Sequence, residues 1–201
     1  MGLNLRRERF DDWVWALGPE EHRAEKRREF LDRLERHVGQ KIDTEAWVVE
    51  DDVSPKVGSY TSYGIFYDCL RYVTLGDYEA ELEADDDLER EALEEFRKAI
   101  EPASLKIPYA GHFIETEVSD TLFIPLLFDA PFAEDGSYVA SLPGAVIALE
   151  AFARGLGFDL NQDAEPEFES GRWLPVSTAC NIARILYGFF TAKRNACVAF
   201  V

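Results

Sequence analysis

The chain has 201 residues, 47% of them hydrophobic and 13% aromatic, enough to bury a core as one domain, which excludes a disordered chain. Its 39 acids against 21 bases leave a net charge of -18, a field that repels nucleic-acid phosphates and anionic lipid, so direct binding to nucleic acid or membrane is not expected. No run of about 18 uncharged apolar residues could span a bilayer, and MGLNLRRERFDDW has no apolar signal stretch before its acids, so a cytoplasmic location is expected.

The first predicted element is a helix with Pro19 at its first position and Gly39 at its C-terminal cap; Phe30, Leu31, Leu34 and Val38 recur at helical spacing within it. EAWVVE, residues 45 to 50, reads as a strand, and Asp51 to Gly58 as a loop. An amphipathic helix is predicted from Ser62 to about Leu75, with Ile65, Phe66, Leu70 and Val73 on its buried side. Residues 77 to 101 follow as an acidic helical segment, in which Leu88, Ala92, Phe96 and Ile100 keep a four-residue spacing and Pro102 ends the run.

A short strand is expected at Leu105 to Tyr109 and a hairpin beyond it. Ser141 and Pro143 announce a helix carrying Val146, Leu149, Ala153 and Leu156, with Gly157 past its end. Ser177 is the expected N-cap of a last helix with Ile182, Ile185, Leu186, Phe189 and Phe190, and CVAFV reads as a final strand tucked into a sheet. With no repeat and no long linker, the expected architecture is one α+β domain: a small mixed or antiparallel sheet with about four to five helices packed on it.

The stretch GHFIETEVSDTLFIPLLF, residues 111 to 128, holds the candidate catalytic residues His112, Ser119 and Asp120. Read as a strand, residues 111 to 117 send His112 and Glu115 to opposite faces, which argues against a shared metal. Ser119 and Asp120 fit a turn between two strands, and Pro125 marks the second as an edge or bulged strand because proline cannot donate to a ladder. His112 near Ser119 or Asp120 could move a proton or bind a polar ligand. There is no G-x-S-x-G, P-loop, G-x-G-x-x-G or H-E-x-x-H, so neither a metal nor a cofactor is expected.

Cys69, Cys180 and Cys197 lack CxxC spacing and read as buried, inert thiols, while His22 with Glu25 reads as a solvated helical pair. Residues 77 to 101 carry twelve acids against three bases, so this stretch supplies -9, half of the net charge. Tyr60, Tyr63, Phe66, Tyr67 and Tyr72 crowd the preceding helix, and tyrosine is enriched at interfaces, although these rings also suit a core roof.

MGLNL at the start, GSYTSYGIF at 58 to 66, GHFIETEVSDTLFIPLLF at 111 to 128 and SYVASLPGAVIALEAFARGLG at 137 to 157 together resemble a group of small bacterial proteins of unassigned function. In that group a histidine precedes a Ser-Asp pair where Val118 stands here, and glycine occupies the region of Thr121 and Leu122. The resemblance implies a shared fold and carries no activity onto these residues.

Three functions follow as expectations. The first is an interaction module, an inhibitor or immunity-type protein that binds a basic partner through Glu81, Asp85, Glu89, Tyr60, Tyr63 and Tyr67. The second is a nucleic-acid mimic whose carboxylates imitate phosphates. The third is a small hydrolase or ligand-binding enzyme centred on His112.

Overall fold

The structure is a computed structural model that describes residues 2–8, 10, 22–47, 56–75, 105–134, 136–162, 168–169, 172–173 and 175–200. The acidic segment, with Glu81, Asp85 and Glu89, lies outside the described residues, as do Pro19 and residues 48–50.

A six-stranded mixed sheet carries the architecture, in the order β2-β1-β8-β3-β5-β4. Its strands are β1 (Gly2–Glu8), β2 (Lys56–Ser59), β3 (Thr121–Ile124), β4 (Phe132–Glu134), β5 (Ser137–Ser141) and β8 (Cys197–Phe200). Four neighbouring pairs are antiparallel, and β3 with β5 is parallel. A separate two-stranded ribbon pairs β6 (Phe168–Glu169) with β7 (Arg172–Trp173). The α-helices whose bounds fall among the described residues are α1 (Arg23–Val38), α2 (Tyr60–Leu75), the single turn α3 (Gly111–Ile114), α4 (Leu142–Leu156) and α5 (Pro175–Ala192).

Strand side chains alternate between faces, and that alternation divides the core in two. Leu3, Leu5, Phe123, Ala140, Val198 and Phe200 point to the face covered by α2, α4 and α5, in one cluster with Phe66, Phe152, Leu186 and Phe190. Leu122, Ile124, Val139, Cys197 and Ala199 point the other way, against Phe30 and Leu34 of α1. Register agrees: Phe123 is paired with Val198 and Ala140, and Leu122 with Ala199 and Val139. The Phe123 ring lies 4.9 Å from Phe190, 5.7 Å from Phe113 and 6.0 Å from Phe200, so one side chain joins strands, α3 and α5. On the opposite face an Arg33–Glu134 ion pair, with Nε donating over 2.7 Å, pins α1 to the edge strand β4.

Two helix C-termini and one N-cap are where their sequence signals predict. Gly39 and Gly157 adopt left-handed conformations, φ 77° and 73°, that a side chain would strain. Ser141 caps α4, its Oγ accepting the Gly144 N–H at 2.8 Å. α2 buries Ile65, Phe66, Leu70 and Val73 and starts two residues before Ser62. The closing CVAF is an interior strand.

Other expectations are corrected. Residues 45 and 46 belong to a 3-10 turn, Thr44–Ala46, because the Asp43 carboxylate accepts the Glu45 N–H at 3.1 Å and holds the chain in a turn. Leu105 to Tyr109 is irregular; its first N–H donates to the Val73 carbonyl, and Tyr109 takes φ 61°. Residues 111 to 117 are not a strand, since that reversal at Tyr109 delivers the chain into α3, so the expected hairpin does not form. β3 stops at Ile124, one residue before Pro125, and is an interior strand between β8 and β5 rather than an edge. Gly58 lies in β2, not in a loop, and α5 starts at Pro175, which puts Ser177 inside its first turn rather than at the cap.

Replacing Phe123 by alanine is expected to destabilise the protein by about 3–5 kcal/mol, because the ring's neighbours cannot all collapse into the space it leaves. Leu127→Ala, at a side chain 47% exposed, is expected to change stability by less than about 0.5 kcal/mol. Urea unfolding of both variants checks the contrast; similar midpoints would contradict the assignment of Phe123 to the core.

Candidate functional site

His112 is fully buried, and its environment dictates one protonation state. Nε2 lies 2.9 Å from the Phe128 carbonyl oxygen, which can only accept, so Nε2 carries the proton and donates. Nδ1 accepts the Ser141 backbone N–H at 3.3 Å and is therefore unprotonated. The ring stacks against Tyr109 with 6.1 Å between centroids and meets Phe128 edge-on at 5.2 Å. A Cβ on Gly144 would stand 2.8 Å from His112 Cδ2, so glycine there is a condition for the imidazole to lie against the first turn of α4.

Three segments meet at this ring: α3, the loop after β3 and the junction of β5 with α4. Burial, the largest cause, pushes the His112 pKa below the usual histidine range; the Phe128 hydrogen bond and the Asp129 charge push the other way, and His37 adds to the depression. His37 holds the same loop from outside, its Nε2 lying 2.8 Å from the Ala130 carbonyl and its ring edge-on to Phe128 at 6.0 Å.

Ser119 and Asp120 are exposed on a 3-10 turn, Val118–Asp120, where the Ser119 hydroxyl donates to Asp120 Oδ2 at 2.9 Å. His112 exchanges no hydrogen bond with either among the described residues. Both of its nitrogens are already committed, so a proton taken from Ser119 would have no acceptor there. The three candidates are neighbours in sequence without forming a catalytic relay.

Of the three tyrosines, only Tyr60, 47% exposed, presents its ring to solvent. Tyr63 is buried against Phe66 and Phe200, and desolvation raises its phenol well above the ordinary range, which corrects its expected place on a binding surface. Tyr67 is half-buried, donating to the Ile114 carbonyl at 3.1 Å, so it braces α2 against α3. Cys69, Cys180 and Cys197 are all buried, and burial raises the Cys69 thiol further. His22 is exposed at the start of α1 and caps nothing with its side chain. Among the described residues no group of three His, Cys, Asp or Glu could hold a metal ion, and no helix is long and apolar enough to cross a membrane.

One polar constellation was not anticipated from the sequence. Arg184 of α5 is only 8% exposed, and donates to the Asp159 carbonyl, Asn181 Oδ1 and Gln162 Oε1 at 3.0, 3.1 and 3.3 Å. The available signal was its position, for Arg184 is the sole charged residue in PVSTACNIARILYGFFTA. Compared with models of known families, with curated proteins and with solved structures, the chain finds no match.

The depressed His112 pKa fixes the sign of a pH effect. The unfolded chain takes up the proton near pH 6.5 while the folded chain resists it, so the stability this group contributes is complete above that pH and is lost progressively below it. Unfolding free energy is expected to fall between pH 7 and 5 with a contribution of up to about 1.4 kcal/mol per pH unit from this histidine. His112→Gln is expected to be less stable at pH 7 and to show a shallower decline; equal slopes in denaturant titrations would contradict the buried neutral imidazole.

Proposed function

We propose that the chain is a protein-binding module, an inhibitor or immunity-type protein, that covers the basic surface of a partner with its acidic segment. The observation that carries this reading is the concentration of charge: residues 77 to 101 hold -9 of a total of -18. Charge that serves only solubility is usually spread over a surface, whereas a concentrated field speeds encounter with a complementary patch and makes it sensitive to salt. Elsewhere the balance differs, since α1 carries six bases against four acids. Tyr60 supplies an exposed ring at the start of α2, the helix that leads toward the segment.

The hydrolytic alternative loses its motivation at His112, whose two nitrogens serve neighbouring backbone groups. A nucleic-acid mimic remains a variant of the binding reading, distinguished by its partner.

The test is retention of partners by the immobilised chain from a cell lysate at about 0.15 M salt, followed by elution up to 1 M, over which the Debye length falls from about 8 to 3 Å. A basic protein released by salt is expected, and the triple variant Glu81→Lys, Asp85→Lys, Glu89→Lys is expected to lose it. Release of the same protein by duplex DNA identifies the mimic. Retention that ignores both salt and charge reversal would overturn the proposal.

A further inference from the structure

α5 is buried on two sides for two different reasons. Its apolar side, with Ala179, Ile182, Ala183, Leu186 and Phe190, packs into the core, as helical spacing requires. Ser177, Thr178, Asn181 and Arg184 occupy an arc of about 120° on the other side, at 100° per residue. That arc is polar, yet Thr178, Asn181 and Arg184 are 0%, 2% and 8% exposed.

In a chain with 39 acids, the Arg184 guanidinium bonds three neutral oxygens, and no carboxylate among the described residues pairs with it. The Asp159 carboxylate, on the nearest loop, instead accepts the Asn161 backbone N–H at 2.9 Å. A buried cation without an anion costs far more than one with a partner, because it has lost its hydration. The guanidinium is nonetheless held rigidly, with its carbon 5.4 Å from the centre of the Phe158 ring. Three of its five N–H donors are used in those bonds, leaving two.

Two further donors lie on the same arc, six and seven residues before Arg184, about two turns along α5. Ser177 Oγ and Thr178 Oγ1 are buried and have no hydrogen-bond partner among the described residues. Other threonines of this chain avoid that state: Thr74, Thr116 and Thr191 donate to the carbonyl four residues earlier, at 2.6, 3.1 and 2.7 Å. The Arg184 side chain reaches back toward them, as its bond to Asn181 shows. On the other flank it touches Gln162, an exposed residue, so the arc runs from buried hydroxyls at its start to solvent at the guanidinium.

We propose that Arg184, Thr178 and Ser177 form a binding site for the oxyanion of a small carboxylate- or phosphate-bearing ligand. The ligand supplies the missing negative charge, accepts the two spare guanidinium N–H groups in a fork, and takes the hydroxyl protons that have no acceptor. Ser177, Thr178 and Arg184 lie far along the sequence from residues 77 to 101, and their proposed role does not depend on a protein partner.

Calorimetric titration of the full chain with inorganic phosphate and, separately, with malonate tests it, with sodium chloride at equal ionic strength as the control. Saturable binding of one of the two probes is expected, and which one binds names the ligand's anionic group. Arg184→Gln is expected to weaken it about tenfold or more, and the near-isosteric Thr178→Val several-fold. Absence of saturable binding by either probe overturns the proposal, as does unchanged affinity in Thr178→Val, which decides the matter even if Arg184→Gln fails to fold.

Discussion

A polar group withdrawn from water must find its hydrogen bonds inside the protein, and the arrangement around His112 follows from that constraint. Its imidazole joins segments that the sheet does not connect: the α3 turn carries it, the loop after β3 receives its proton, and the junction of β5 with α4 donates to its other nitrogen. Gly144 leaves the space, Ser141 caps the helix beside it, and Tyr109 and Phe128 exclude water with their rings. The same atoms that make the joint exact in its bonding leave no nitrogen available for chemistry. A histidine set among Ser, Asp and Glu in sequence is, in three dimensions, a crosslink.

Around this joint the sheet separates two cores of unequal size. The larger, under α2, α4 and α5, is built on interlocked aromatic rings centred on Phe123 and Phe66; the smaller is sealed by α1 and by rings from Phe30, Phe128 and Phe132. Such a two-sided scaffold frees its surface for charge. Along the sequence, acid is concentrated in residues 77 to 101 while α1 is net basic, the contrast on which the proposed recognition of a basic surface rests. Arg184 is the counterpoint, a buried cation that no carboxylate among the described residues pairs with, in a strongly acidic chain.

Elements specified by local chemistry were legible in the sequence. Gly39 and Gly157 end their helices because left-handed backbone suits glycine, Ser141 caps because its oxygen reaches an N–H three residues on, and α2 keeps its apolar spacing almost throughout. Elements specified by distant partners were not. HFIETEV has the β-branched content of a strand, but strand propensity reflects a pleated neighbour, and here burial of His112 and Phe113 against three other segments selects a helical turn. β1 was hidden because Leu3 and Leu5 are followed by two arginines, and β3 looked like an edge because Pro125 directly follows its last paired residue. The site suffered similarly: the nearness of His112 to Ser119 and Asp120 along the chain said nothing of the backbone groups that engage it, and Arg184 gained significance only when its acceptors proved to be neutral.

The central claim, that His112 is a neutral structural crosslink with its proton on Nε2, is tested most directly by nitrogen-15 NMR of the histidine side chains. The account predicts an Nε2-protonated ring with an unprotonated Nδ1 whose shifts stay constant through pH 6.5. An Nδ1-protonated ring, or a His112 that takes up a second proton near pH 6.5, would contradict it and return the residue to the list of candidate catalysts.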